Sequence, residues 1–325
     1  MAMRKQAEDW FGYVTDLGEI TDFRRVAGGG EGAELVDYCY TVSLSWEGSP
    51  AMRKPGLSAL LGTLFGALLA TTAVTAPTAT AAPSAIDFSG TVALSNCSGS
   101  LVKLASAPTS GPALVLTNGH CYEGGFLSPG QVLVNKSSTR SFTLLSPTGS
   151  NRATLRATKV AYATMTDTDI TLYQLNTTYD AIRSSYGISP LEIATTHPTA
   201  GTAIKVVSGY WKRIYSCNID GFVYRLKEGD WTWKDSIRYT STCNTIGGTS
   251  GSPIEDPNGK LIGINNTGNE DGERCTVDNP CEVDQSGNVT VHQGTNYGEE
   301  TYLLAGCMTG STVDLTKAGC ALPKP

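Results

Sequence analysis

A serine on a bare turn, a histidine at the end of an apolar run and an aspartate just ahead of an alternating run are the residues of this sequence that could do chemistry together. Gly248-Thr249-Ser250-Gly251-Ser252-Pro253 presents one hydroxyl among small residues. An attacking oxygen needs such a tight, uncluttered turn, and the backbone N–H groups of Gly248 and Ser250 could converge on the oxyanion formed when it attacks a carbonyl. By itself the turn is ordinary, because Gly and Ser are common in loops that do no chemistry. The hydroxyl also needs a base. Of the three histidines, His120 directly follows the strand-like stretch Ala113-Leu114-Val115-Leu116-Thr117-Asn118-Gly119, whereas His197 before Pro198 and His292 read as surface or edge-strand residues with structural roles. Asp169 stands immediately before Ile170-Thr171-Leu172-Tyr173-Gln174-Leu175, where a carboxylate can be buried against Nδ1 of an imidazole and fix its tautomer. Asp167 is its neighbouring alternative.

In the chain order His, Asp, Ser, these motifs resemble those of the trypsin and chymotrypsin superfamily of serine endopeptidases. Thr117-Asn118-Gly119-His120-Cys121 resembles the family's Thr-Ala-Ala-His-Cys, Asp169-Ile170-Thr171-Leu172 its Asp-Ile-Ala-Leu, and Gly248 to Pro253 its Gly-Asp-Ser-Gly-Gly-Pro. Cys97-Ser98-Gly99-Ser100-Leu101-Val102, Val207-Ser208-Gly209-Tyr210 and Gly259-Lys260-Leu261-Ile262-Gly263-Ile264 are similar to further landmarks, so the resemblance runs from about Ile86 to about Leu304. It implies an all-β fold of two packed antiparallel six-stranded β-barrels, with His120 and Asp169 on the first, Ser250 on the second and the active site in the cleft between them. It also implies catalytic roles for His120, Asp169 and Ser250, and an oxyanion hole at Gly248 and Ser250.

Some positions depart from the pattern. Thr249 stands where zymogen-type members carry an aspartate that pairs with a new N-terminal amine, an ion pair threonine cannot make. Gly-x-Ser-Gly-Ser-Pro is instead similar to bacterial glutamyl endopeptidases, which suggests a bacterial, non-zymogen branch. Asn265-Asn266-Thr267-Gly268 stands where many relatives have a serine supporting the aspartate and an aromatic lining the specificity pocket, and an Asn side chain can also donate to a buried carboxylate. By the same alignment Asn244 lies at the base of that pocket, where trypsins carry an aspartate, with Thr245, Asn266 and Gly268 as further walls. No buried anion is expected there, so a Lys or Arg side chain would lose hydration without a counter-charge. Asn265 stands where glutamate-selective relatives place a histidine. Uncharged substrate side chains are the expected preference.

The chain's N-terminal part has a different character. Met52-Arg53-Lys54, the Leu- and Ala-rich run from Leu57 to Ala76, and Ala79-Thr80-Ala81 read as a signal peptide over residues 52–81, cleaved before Ala82. Residues 1–51 show no clear period, and Trp46-Glu47-Gly48 can only be encoded as TGG-GAR-GGN, a purine-rich tract like a ribosome-binding site ahead of Met52. Residues 1–51 are therefore expected to be an untranslated upstream extension. Setting aside Cys39 leaves Cys97, Cys121, Cys217, Cys243, Cys275, Cys281, Cys307 and Cys320, an even set that suits an exported protein with four disulfides. The resemblance implies Cys97 with Cys121, a bridge adding about 3 to 4 kcal/mol in the chain-entropy model. Order along the chain suggests Cys217 with Cys243, Cys275 with Cys281 and Cys307 with Cys320, without fixing them.

Short runs separated by Gly, Ser, Pro and Asn, among them residues 114–117, 131–134, 141–145, 153–161, 170–175, 203–207, 237–240 and 261–265, read as strands, and no long amphipathic helix is predicted. The N-terminal barrel is expected over residues 82–190 and the C-terminal one, with a stapled C-terminal segment, over 191–325. After residue 81 the chain keeps 18 of its 24 Lys and Arg and 21 of its 30 Asp and Glu, a net charge of −3 that argues against nucleic acid as a partner. The acidic stretch Asn269-Glu270-Asp271-Gly272-Glu273, with Asp278, Glu282 and Asp284, reads as a solvated insertion, calcium binding being the alternative. No cofactor and no metal are expected; no Cys-x-x-Cys or His-Glu-x-x-His pattern occurs. The reading is a secreted, monomeric serine endopeptidase acting on protein or peptide substrates, with no stable membrane association after signal cleavage. A glutamyl endopeptidase, an esterase and a catalytically silent binding protein of the same fold are the alternatives.

Overall fold

The computed structural model describes residues 88–325; the expectations for residues 1–51, the signal peptide over 52–81 and Cys39 lie outside the described residues. The first barrel is built from β1 (Thr91–Ala93), β2 (Ser98–Lys103), β3 (Pro112–Thr117), β4 (Val132–Ser137), β5 (Ser141–Leu145), β6 (Asn151–Thr164) and β7 (Ile170–Thr178). Antiparallel pairings run β1 to β2, β2 to β3, β3 to β7, β7 to β6, β6 to β5 and β5 back to β1, so six strands close on themselves while β4 lies outside on β6. Closure removes the open edges that a sheet of short strands would otherwise expose.

Helix α1 (Tyr179–Tyr186) follows, started by the Thr178 side chain accepting from the Ala181 N–H and stopped by Gly187 in the left-handed conformation. Strand β8 (Leu191–Ile193) then pairs in parallel with both β2 and the later strand over Lys260–Gly268, joining the two barrels into one hydrogen-bonded sheet. The second barrel contains β9 (Ala203–Ser208), β10 (Arg213–Glu228), β11 (Trp231–Tyr239), β12 (Pro253–Glu255), β13 (Lys260–Gly268), β14 (Cys281–Val283), β15 (Val289–Thr290) and β16 (Asn296–Glu300). It closes in the order β9, β10, β11, β16, β13, β12 and back to β9, with β14 and β15 as an outer ribbon. The architecture is the all-β double barrel that the sequence leads one to expect. The sixteen-residue β10 was not anticipated: a register shift between Ile219 and Gly221 interrupts its alternation.

Strand β3 explains why the run before His120 is continuously apolar. Ala113 and Val115 enter the core of the first barrel, while Leu114 and Leu116 face the other way. That outer face is covered by the C-terminal segment, α2 (Tyr302–Gly306), β17 (Met308–Thr309) and β18 (Thr312–Val313), through Leu304, Met308 and Leu322. Full burial of each such leucine contributes roughly 1.5–3 kcal/mol, so the strand carrying His120 is fixed from both sides. Cys307–Cys320 staples the covering segment, and Tyr162 Oη donates to the Pro323 carbonyl at 2.9 Å. The remaining disulfides are Cys97–Cys121, Cys217–Cys243 and Cys275–Cys281. Among the described residues no helix is long and apolar enough to cross a membrane.

Candidate active site

His120 stands in the turn after β3 and Asp169 in the residue before β7, and because β3 and β7 are paired, with Thr117 opposite Thr171, both side chains reach the same end of the first barrel. His120 Nδ1 donates to Asp169 Oδ2 at 2.6 Å, and the His120 backbone N–H donates to Oδ1 at 2.9 Å. Two donors thus hold a carboxylate that is fully buried. The sequence around it is built for this approach. A Cβ on Gly119 would fall against Asp169 Oδ1 and the Thr164 carbonyl, so only glycine fits, and Asn118 Nδ2 donates to the Asp169 carbonyl at 2.9 Å. Cys97–Cys121 ties the turn to β2. With Nδ1 donating, Nε2 is left free to accept a proton.

Ser250 lies between β11 and β12 on a turn closed by Thr249 N–H to Ile246 O (3.0 Å), Ser252 N–H to Thr249 O (3.0 Å) and Gly251 N–H to Asn265 O (2.9 Å). Its position against the first barrel is set by Ser98. The Ser98 N–H donates to the Ser250 carbonyl at 2.8 Å, and Ser98 Oγ contacts the Gly248 carbonyl, Ser208 Oγ and the Tyr210 N–H. Ser250 and His120 line one cleft, but Ser250 Oγ donates to the Asn266 carbonyl at 3.3 Å and not to His120. Among the described residues neither Gly248 N–H nor Ser250 N–H donates to another protein group. Trp211 Nε1 donates to the Gly247 carbonyl at 2.8 Å, and since a trans peptide sets C=O and N–H in opposite directions, this turns the Gly248 N–H away from the tryptophan. Gly248 takes φ of 88°, and a Cβ there would press on Tyr210 and Trp211. Thr249 is buried and accepts from Asn265 Nδ2 at 3.2 Å, a neutral fit that needs no terminal amine.

Two carboxylates that sequence reasoning did not single out complete the surroundings. Glu299, on β16 and buried, accepts from the Asp169 N–H (3.3 Å), Ser236 Oγ (3.1 Å) and Asn266 Nδ2 (3.0 Å). The Asn266 amide therefore supports Glu299 and reaches Asp169 only through it. Burial, followed by the charge of Asp169, pushes the Glu299 carboxyl up to about 8, the uncharged form near neutral pH. Glu228, at the end of β10, accepts from the Asp278 N–H at 2.9 Å and lines the cleft; burial pushes it up to about 7. At His120 burial favours the neutral ring, but the Asp169 charge and hydrogen bond, with Glu228 and Asp278 beyond, outweigh it and raise its pKa above the ordinary histidine value.

The cleft is further lined by Phe126, Trp231, Thr245, Ile246, Thr267, Gly268, Glu270 and Asn296. Of the expected pocket residues, Thr245, Asn266 and Gly268 line it and Asn244 does not: its side chain is exposed, because the base is closed by Asn296. Asn296 accepts from Thr245 Oγ1 at 2.8 Å and donates to the Cys243 carbonyl at 3.1 Å, holding the backbone so that residue 244 points outward. Glu228 adds to the cleft a buried carboxyl that the sequence analysis did not single out. In the acidic stretch, Glu282 pairs with Arg238 at 2.8 Å and Asp284 caps its own turn, and among the described residues no three of its carboxylates share one point.

Residues 97–264, just over half of the sequence and including His120, Asp169 and Ser250, match the trypsin-like peptidase domain family. The chain belongs to that family. Its fold is similar to the MamO protease domain from Magnetospirillum magneticum (14% identity, 68% of this chain and 96% of that one, TM-score 0.43). It is also similar to the active form of the Rv3671c protease from M. tuberculosis (16%, 72% and 82%, TM-score 0.41) and to a Glu endopeptidase in complex with MPD (18%, 66% and 85%, TM-score 0.40). No curated protein matches the sequence.

In this trypsin-like domain Glu299 is expected to carry stability through its three donors. Glu299→Ala leaves the Asp169 N–H, the Ser236 hydroxyl and the Asn266 amide without an acceptor and should cost about 3 kcal/mol in urea denaturation, whereas Glu299→Gln keeps one acceptor oxygen for the Ser236 and Asn266 bonds, loses the bond from the Asp169 N–H and should cost about half as much. Equal losses would contradict the uncharged form.

Proposed function

We propose that the protein is a secreted serine endopeptidase in which Ser250 attacks the scissile carbonyl, His120 takes its proton and passes it to the leaving amine, and Asp169 orients the imidazole. The observation that carries this reading is the His120–Asp169 hydrogen bond at 2.6 Å, with Ser250 on the same cleft of a trypsin-like domain. Attack requires the Ser250 hydroxyl to leave the Asn266 carbonyl for His120 Nε2; catalytic hydrogen bonds commonly tighten only with substrate bound. The N–H groups of Gly248 and Ser250 are the donors proposed for the oxyanion, the former directed by Trp211. Water then releases the acyl group by the same proton path in reverse. The four disulfides suit an oxidising compartment and support export.

A fluorophosphonate probe should label Ser250, and Ser250→Ala should abolish labelling and lower kcat by roughly 10⁶-fold. A folded, oxidised wild type that takes up no probe would favour the silent binding protein instead.

Because the base must be neutral to accept the serine proton, kcat/KM should fall as pH drops through a value above the ordinary histidine range, following the raised pKa of His120. Glu228→Gln removes a negative charge facing the ring and should move that limb to lower pH; a limb unmoved by the substitution would count against this account of the cleft.

The pocket floor offers the neutral groups of Thr245 and Asn296, with Ile246 and Gly268 beside them, which supports acceptance of uncharged side chains. Glu228, Glu270 and Asp278 line the same cleft, so an incoming glutamate meets like charge. Cleavage of a proteome-derived peptide library should show uncharged residues before the cut and depletion of Asp and Glu. A dominant Glu signature would restore the glutamyl endopeptidase reading, and a dominant Lys or Arg signature would make the three carboxylates the selectors.

A further inference from the structure

On β16, Glu299 and its neighbour Glu300 point to opposite sides. Glu300 leaves the active-site region and meets His197, from the loop between β8 and β9, and Asp235, on β11. His197 Nε2 lies 3.2 Å from Asp235 Oδ2 and 3.5 Å from Glu300 Oε1, and neither contact is aligned as a hydrogen bond. The Glu300 side chain is completely buried, yet both of its carboxylate oxygens lack any hydrogen-bond donor. A buried carboxylate left in that condition is costly, and a second carboxylate beside it adds to the cost.

The backbone fixes one of the two ring nitrogens of His197. A carbonyl oxygen can only accept, so the contact between His197 Nδ1 and the Pro198 carbonyl requires Nδ1 to carry hydrogen. In the neutral ring Nε2 then presents its lone pair to the two carboxyl groups, and the contact is relieved either by a proton shared among them or by a metal ion bound by all three. Phe222 and Tyr302 flank the ring, with centroids 4.2 and 5.2 Å away, and keep it in this plane. Tyr302 Oη donates to Asp235 Oδ2 at 2.9 Å. A histidine whose second nitrogen donates to a backbone carbonyl, beside a carboxylate that is itself hydrogen-bonded, is the outer-shell arrangement of metal ligands.

We propose that His197 Nε2, Asp235 and Glu300 bind a divalent transition-metal ion of the zinc type, with water as the fourth ligand. Bonds of about 2.0–2.1 Å in a tetrahedron place ligand atoms roughly 3.3–3.4 Å apart, close to the two separations seen here. Calcium is disfavoured because it takes six to eight oxygens and does not select imidazole. His197 and Asp235 are partly exposed, at 38% and 34%, which gives the ion a path in and room for water on the outer side. The site is apart from the Ser250 cleft and shares no residue with it. Bound there, the ion would tie β11 and the end of β16 to the loop that follows β8.

The test is zinc titration of the full chain carrying Ser250→Ala to prevent self-cleavage, freed of metal by chelator and followed by competition with a chromophoric chelator and by thermal unfolding. Saturable uptake is expected, with Tm rising by roughly 5 °C or more at a hundredfold excess over Kd. His197→Ala and Glu300→Gln should each weaken the affinity at least tenfold and remove the rise in Tm. Should either variant fail to fold, X-ray absorption of the zinc-loaded parent is expected to show one imidazole nitrogen with oxygen neighbours. No saturable uptake below 100 μM would overturn the proposal, as would uptake indifferent to both substitutions or an absorption spectrum without imidazole.

Discussion

A fully buried carboxylate, Asp169, sets the conditions that the rest of the site must meet. Removing such a charge from water is tolerable only when several donors replace the lost hydration. Here these are the backbone N–H and Nδ1 of His120, which form the two hydrogen bonds that orient the imidazole. The requirement reaches outward into composition. Gly119 is needed because any Cβ would occupy the space of the carboxylate, and Asn118 satisfies the Asp169 carbonyl. Burial pushes Glu299 toward its uncharged form, and the charge of Asp169 adds to the shift.

The two halves of the site are brought together by backbone contacts as much as by side chains. Ser98 donates its N–H to the Ser250 carbonyl, and its hydroxyl reaches the Gly248 carbonyl, so the start of β2 holds the serine turn of the other barrel. Gly251 is required there, since a Cβ would strike Thr117 Oγ1 and the Ser98 carbonyl. β8 contributes a second tie, pairing with both β2 and β13. The distance between His120 and Ser250 is therefore governed by short, stiff connections, while the Ser250 hydroxyl remains free to change its acceptor.

Strand β16 links features that look unrelated along the chain. Its successive residues face opposite ways, as in any strand, so Glu299 supports the Asp169 region while Glu300 closes the cluster with His197 and Asp235. Asn296, at the head of the same strand, shapes the pocket floor through Thr245 and Cys243. One five-residue element thus contributes to the support of the acid, the shape of the pocket and a separate cluster of metal-type ligands.

The family resemblance, the double barrel and the nomination of His120, Asp169 and Ser250 were legible along the chain, because each depends on a local pattern. An aspartate just before an alternating run, an apolar run before a histidine and small residues around a serine are contiguous signals that survive without knowledge of the fold. The cysteine pairing belongs to the same class only in part: the resemblance implied Cys97 with Cys121, and order along the chain merely suggested the others. Tertiary structure alone decided the roles of Glu299, Glu228 and Trp211, the outward turn of Asn244, and the meeting of His197 with Asp235 and Glu300. These contacts join residues 36 to 130 positions apart in the hydrogen bonds from Trp211 and from Asp169 to Glu299. At such separations no spacing rule applies, because the partner is chosen by strand register and barrel closure and not by neighbours in the chain. An isolated His before Pro or a pair of adjacent glutamates looks like ordinary surface until closure of the second barrel buries one carboxylate against the acid and leaves the other without a donor.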